Sequence, residues 1–163
     1  MKILVIFYSL DGNTRFIAKN IAEETGADLQ ELCLKKRVYP KGFLKYLYGG
    51  KDIVFKVAPE LLPLEREPSS YDILFIGSPV WAGSYSAPLN SLFSTVSIRD
   101  KKIALFCCHM GMKANVFKKM QSALAGNRFL GQIDFFSPLS SSKKNIISVK
   151  VRRWAKAMVD RAS

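Results

Sequence analysis

The chain is poor in the residues that build metal centres and disulfide frameworks. It has one histidine, His109, and three cysteines: Cys33, Cys107 and Cys108. Two of the cysteines are adjacent and no Cys-x-x-Cys occurs, which excludes a disulfide scaffold. A single histidine leaves no plausible zinc set. A reducing cytosol is the simplest setting, with Cys33 and Cys107 expected as small buried hydrophobes. No apolar run approaches the roughly 18 residues of a membrane span. The N-terminal run MKILVIFYS is too short for a signal peptide and lacks a small-residue cleavage site, so a cytoplasmic protein is expected. There is no repeat, low-complexity tract or linker; residues 1–163 are expected to form a single domain.

Acidic residues are also scarce: 13 Asp and Glu face 25 Lys and Arg, for a net charge of +12. The excess is clustered. Residues 35–56 carry Lys35, Lys36, Arg37, Lys41, Lys45, Lys51 and Lys56 against Asp52 alone. Residues 143–161 carry Lys143, Lys144, Lys150, Arg152, Arg153, Lys156 and Arg161 against Asp160. Such a surface attracts acidic proteins, anionic membrane or nucleic acid and says nothing about fold. A solvated basic face without a specific ligand is the competing reading.

What is abundant is apolar sequence, 48% of the chain. Ile3–Phe7, Tyr71–Gly77 and Lys102–Cys107 read as strands buried on both faces, with weaker strands at Asp28–Leu34 and Ile133–Phe136. Between them apolar residues recur at helical spacing. Ile17, Ala18, Ile21 and Ala22 precede a Gly26 C-cap, and Leu89, Leu92, Phe93 and Val96 follow Pro88. Val116, Met120 and Ala123 or Leu124 lead to Gly126. Ile147, Val151, Trp154, Ala155 and Met158 follow a cap at Ser140–Ser142. Alternating buried strands and helices predict a parallel sheet covered on both faces. Residues 35–70 interrupt the alternation as an irregular basic excursion, with a short helix expected near Phe43–Tyr48.

Ligands of open α/β sheets sit outside the carboxyl ends of the strands, and three loops there have suggestive sequences. Ser9, Leu10, Asp11, Gly12, Asn13 and Thr14 join a buried strand to a helix N-terminus, where backbone N–H groups and the helix dipole favour a phosphate. Arg15 stands close enough to help neutralise a dianion. An ordinary turn with Thr14 as N-cap is the alternative. Pro79, Val80, Trp81, Ala82 and Gly83, with Tyr85 beyond, place large aromatics beside Gly and Pro, as a wall for a planar heteroaromatic ring requires. The alternative folds Trp81 back onto the helix after Pro88. Cys108, His109, Met110 and Gly111 can border the other side of the same ring, although a lone loop histidine is also consistent with simple solvation.

The first motif after strand one and Gly77–Trp81 after strand three together resemble the flavodoxin family, over nearly the whole chain in element order. The resemblance implies a three-layer sandwich, a five-stranded parallel sheet of order 2-1-3-4-5 with helices on both faces, and FMN as cofactor. It implies that Ser9–Thr14 hold the FMN phosphate while Pro79–Gly83 and Cys108–Gly111 flank the isoalloxazine. Asp11 stands where family loops carry Ser or Thr, and is expected to point outward with Arg15 offsetting its charge. The basic surface departs from the acidic electron carriers of the family.

Two related topologies are set aside. A receiver domain needs acidic residues ending strands one and three, but strand three ends in Gly77-Ser78. A small phosphatase needs a Cys nucleophile in the first loop, which has none. Three functions stay open: an electron-transfer protein, an FMN-dependent oxidoreductase acting on a quinone or similar acceptor, and a non-enzymatic basic binding module. No catalytic acid or base beyond His109 is identifiable. The expected partners are redox proteins with acidic surfaces, without specific nucleic acid, and with peripheral contact to anionic membrane open.

Overall fold

A computed structural model describes residues 1–36, 58–140, 142 and 144–163. The expected helix near Phe43–Tyr48, and most of the basic excursion, lie outside the described residues. The order of elements is β1 (Ile3–Phe7), α1 (Asn13–Thr25), β2 (Asp28–Glu31), a single 3-10 turn (Pro68–Ser70), β3 (Ile73–Trp81) and β4 (Ser84–Tyr85). Then come α2 (Ala87–Thr95), β5 (Lys102–His109), α3 (Val116–Ala123), β6 (Arg128–Phe136) and α4 (Lys144–Ala162).

β1 pairs in parallel with β2 and β3, β3 with β5, and β5 with β6. The resulting sheet order, β2-β1-β3-β5-β6, is the predicted doubly wound arrangement. The sheet has six strands and not five, because β3 runs past Ser78 to Trp81 and turns back as β4. That turn holds Ala82 (φ 46°) and Gly83 (φ 69°). Two successive positive φ values match the twist of a two-residue hairpin. Residues 78–85, expected as a loop, are therefore largely strand.

The buried strands alternate between two cores, as a period of two requires. Leu4, Ile6, Leu74, Ile76, Ile103 and Leu105 meet Leu89 and Leu92 of α2 and Val116 and Met120 of α3 on one face. Val5, Phe7, Ile73, Phe75, Ala104 and Phe106 meet Ile17 and Ile21 of α1 and Val151, Ala155 and Met158 of α4 on the other. Each Val, Leu, Ile, Phe or Met among them, taken wholly from water, contributes about 1.5–3 kcal/mol. The three layers are thus a direct result of strands apolar on both faces.

Several local expectations are met. Gly26 closes α1 in the left-handed region (φ 66°), with its N–H bonded to the Ala22 carbonyl. Others are corrected. β2 stops at Glu31, after which Leu34 makes only an isolated bridge to Leu61. Cys33, just past that stop, is exposed and not a core residue. β6 starts at Arg128, well before Ile133, and β5 extends through Cys108 to His109. α4 opens at Lys144.

Candidate functional site

The three predicted loops meet at the carboxyl edge of the sheet and enclose a cleft of about 160 Å³. Ser9, Leu10, Asp11, Asn13 and Thr14 line one side, Pro79–Trp81 a second, and Cys108–Gly111 a third. Gly12, Ala82 and Gly83 do not line it. A Cβ on Gly12 would lie 3.2 Å from Leu139 Cδ1, and one on Gly83 would lie 2.9 Å from Ala114 Cβ, so both glycines face neighbouring loops.

The first loop is built around the start of α1. Gly12 occupies the N-cap position at φ 83° and supplies no side-chain cap. The Phe16 amide donates to the Gly12 carbonyl at 2.9 Å, and the Arg15 amide donates to Ser9 Oγ at 3.2 Å. The amides of Asn13 and Thr14 have no protein acceptor among the described residues. These are the first-turn N–H groups that a helix leaves over, at the positive end of its dipole. Thr14 is not the N-cap; it lies one residue inside α1, 1% exposed, with its side chain beside the Cys108 thiol. Burial pushes that thiol up to about 12, with the Thr14 contact acting the other way.

Arg15 does not serve the loop as expected. Its Nε and Nη2 each donate at 2.7 Å to a Glu31 carboxylate oxygen, so β2 claims the guanidinium. A brace the sequence reading missed comes from the segment before α4. The Leu139 amide donates to Asn13 Oδ1 at 3.0 Å, and the Ser137 amide donates to the His109 carbonyl at 2.9 Å. Residues 137–139 therefore tie the first loop to the third. No local signal marks a contact spanning more than a hundred residues of sequence.

The second wall is fixed from behind. Ser78, fully buried, accepts from the Ser86 amide at 2.9 Å and donates to the Pro79 carbonyl at 2.8 Å. Trp81 was expected to stand clear of the core. It is only 5% exposed, belongs to the cluster with Leu89 and Leu92, and meets Tyr8 edge-to-face at 5.7 Å. It reaches the cleft from within the core, so the residues behind it fix its position.

The third wall is pinned by His109. Nδ1 lies 2.5 Å from the Gly111 carbonyl and Nε2 lies 3.1 Å from Asp134 Oδ2 on β6. Lys113 Nζ donates to the other Asp134 oxygen at 2.6 Å. Burial acts to raise the Asp134 carboxyl, but the hydrogen bonds from Lys113 and His109 outweigh it and hold the group below its ordinary value. Among the described residues no cluster of three or more His, Cys, Asp or Glu side chains could hold a metal ion. No described helix is long and apolar enough to cross a membrane.

Residues 1–127 match the NADPH-dependent FMN reductase family. The chain belongs to that family. It is an FMN-binding flavoprotein of flavodoxin-like fold. No curated protein matches the chain. Among solved structures it is similar to a flavoprotein from Lactobacillus acidophilus in complex with FMN. The two are 23% identical, with 82% of this chain and 92% of that chain covered at a TM-score of 0.71. Flavodoxin 2 from Bacillus cereus is 17% identical over 99% of both chains, with a TM-score of 0.57. A flavodoxin from the domain Archaea is 15% identical over 99% of both chains, with a TM-score of 0.59. At these identities the structural likenesses carry the fold alone.

Proposed function

We propose that this member of the family is an FMN-dependent oxidoreductase that takes electrons from a reduced nicotinamide and passes them to a quinone or similar acceptor. The observation that carries the reading is a pair of N–H groups, Asn13 and Thr14, that find no acceptor among the described residues, beside the buried Thr14 side chain at the positive end of α1. That donor set fits a terminal phosphate, with no lysine or arginine among the described lining residues. The apolar edges of Val80 and Trp81 opposite Met110 fit a flat ring. At about 160 Å³ the cleft is smaller than the roughly 300–1,000 Å³ of sites that engulf their ligand. A ligand here keeps one edge open to a reaction partner.

When bound, FMN supplies the two-electron exchange. The protein's part is positioning. Asn13 and Thr14 hold the phosphate end, and Ser78 holds the Pro79–Trp81 wall. Asp134 and the Gly111 carbonyl fix the His109 ring and, with it, the third wall. The family match over 1–127 favours a reductase over a carrier shuttling electrons between proteins.

The absorbance spectrum of the purified protein tests flavin content directly. Steady-state oxidation of NADPH and NADH with a soluble quinone, set against single-turnover reduction by a reductase protein, tests the reaction. Turnover with a nicotinamide supports the oxidoreductase. Reduction only by the protein donor would reassign the chain as an electron carrier.

A further inference from the structure

Among the described residues, eight large apolar side chains are exposed, and five of them gather at one end: Met110, Met112, Phe136, Ile146 and Val149. Met110 follows the end of β5 and Phe136 ends the edge strand β6, both at the carboxyl edge, and Met112 is 88% exposed. Ile146 and Val149 lie on the first two turns of α4. The last turn of α4 sits at the opposite edge of the sheet, where the Ala162 carbonyl accepts from Lys102 Nζ at the start of β5. Its first turns therefore lie at the carboxyl edge, with the cleft.

The exposed row of α4 reads Ile146, Val149, Lys150, Arg153, at the i, i+3, i+4, i+7 spacing of one helix face. Lys144 and Lys156 are exposed on the same helix. None of Lys144, Lys150, Arg153 and Lys156 makes an ion pair among the described residues. Asp160, the only acid on α4, belongs to its far end. At the cleft end, Asp134 is already paired with Lys113 and hydrogen-bonded to the His109 ring, and Asp11 is the rim's other described acid.

We propose that this end of the molecule docks on an anionic lipid surface. Ile146 and Val149 enter the headgroup boundary, Lys144, Lys150 and Arg153 meet the lipid phosphates, and the Met112–Phe136 rim of the cleft faces the same surface. Exposed aliphatic side chains interleaved with cations on one helix face are what interfacial binding requires. A second copy of the chain is a poorer occupant, since each copy brings a net charge of +12 to the contact. A nucleic-acid backbone offers nothing to bury Ile146 and Val149. Docking in this orientation also selects a membrane-dissolved quinone as acceptor; that clause alone rests on the oxidoreductase reading.

The test is flotation of the FMN-loaded protein with vesicles of phosphatidylglycerol and phosphatidylcholine, and with phosphatidylcholine alone. The unaltered protein should float with the anionic vesicles and not the neutral ones. I146S/V149S and K150E/R153E should each lower partitioning by roughly tenfold or more. Both variants lie outside the cleft and should keep FMN, melting temperature and turnover with a soluble quinone, so a docking failure is separable from failure of the enzymatic reading. Absence of flotation overturns the proposal. So does anionic binding that both variants retain, or a dimer in light scattering that I146S/V149S disperses.

Discussion

Thr14 and Gly77 each belong to one of the two sequence motifs, yet they serve different ends. The Thr14 hydroxyl is buried between the first loop and Cys108, so its value is for whatever sits on the α1 N-terminus. Thr14→Val keeps the volume and removes the hydroxyl that would donate to the FMN phosphate. FMN affinity should fall by roughly 10–150-fold, the equivalent of about 1.5–3 kcal/mol for a hydrogen bond to a charged group. Riboflavin, which lacks the phosphate, should bind as before. Titration of both ligands checks this, and equal losses would remove Thr14 from the phosphate site. Gly77 lies in the motif but serves packing. A Cβ there would fall 2.1 Å from Phe106 Cζ, in the middle of the β3–β5 pairing. Gly77→Ala should cost at least the roughly 1–3 kcal/mol typical of overpacking, measured as a lower urea midpoint. The cysteines divide as well: Cys33 is exposed, whereas the Cys107 and Cys108 thiols are buried and held neutral. Alkylation under native conditions should therefore modify Cys33 alone, and mass analysis should find the other two modified only after unfolding.

At the level of elements, legibility followed burial. β1, β3 and β5 could be read because strands covered on both faces are continuous apolar runs, and α1 could be read to its last residue because Gly26 must take a positive φ. β4 could not, since two residues carry no period and the turn uses Ala82 where Asn or Gly is usual. That the loops ending β1, β3 and β5 meet at one cleft was legible. Their supports were not, because Leu139 on Asn13, Asp134 on His109 and Glu31 on Arg15 are contacts made by tertiary structure. The hairpin yields a prediction of its own. Ala82 stands at φ 46°, where L-residues with a Cβ lose roughly 1–2 kcal/mol and Asn much less. Ala82→Asn should raise the denaturation midpoint, and an unchanged midpoint would mean that the turn carries no strain. The β5–β6 support has a pH signature. Asp134 titrates below its ordinary value in the folded protein, so its contribution is complete above about pH 4 and is lost as pH falls through the lowered folded value. In Asp134→Asn the acid limb of stability against pH should be flatter.

For the whole molecule, the charge of +12 decides how anything reaches the cleft. Among the described residues no lysine or arginine lines the cleft, so their attraction must come from the field of more distant groups such as Lys144 and Lys150. Fields of that kind act over about 8 Å at physiological ionic strength and about 30 Å at 0.01 M, and so depend steeply on salt. They accelerate encounter with partners of opposite charge without needing a contact. Oxidation of the reduced protein by a small anionic acceptor such as ferricyanide should therefore slow markedly as salt rises. Oxidation by a neutral soluble quinone should not, because it carries no charge to steer. Stopped-flow rates for the two acceptors across the same salt series separate steering from any general effect of salt on the flavin. If both rates are flat, the positive field points away from the mouth, and the basic clusters serve a surface remote from electron exchange. If both slow together, salt acts on the cleft itself and charge steering has no part in the difference.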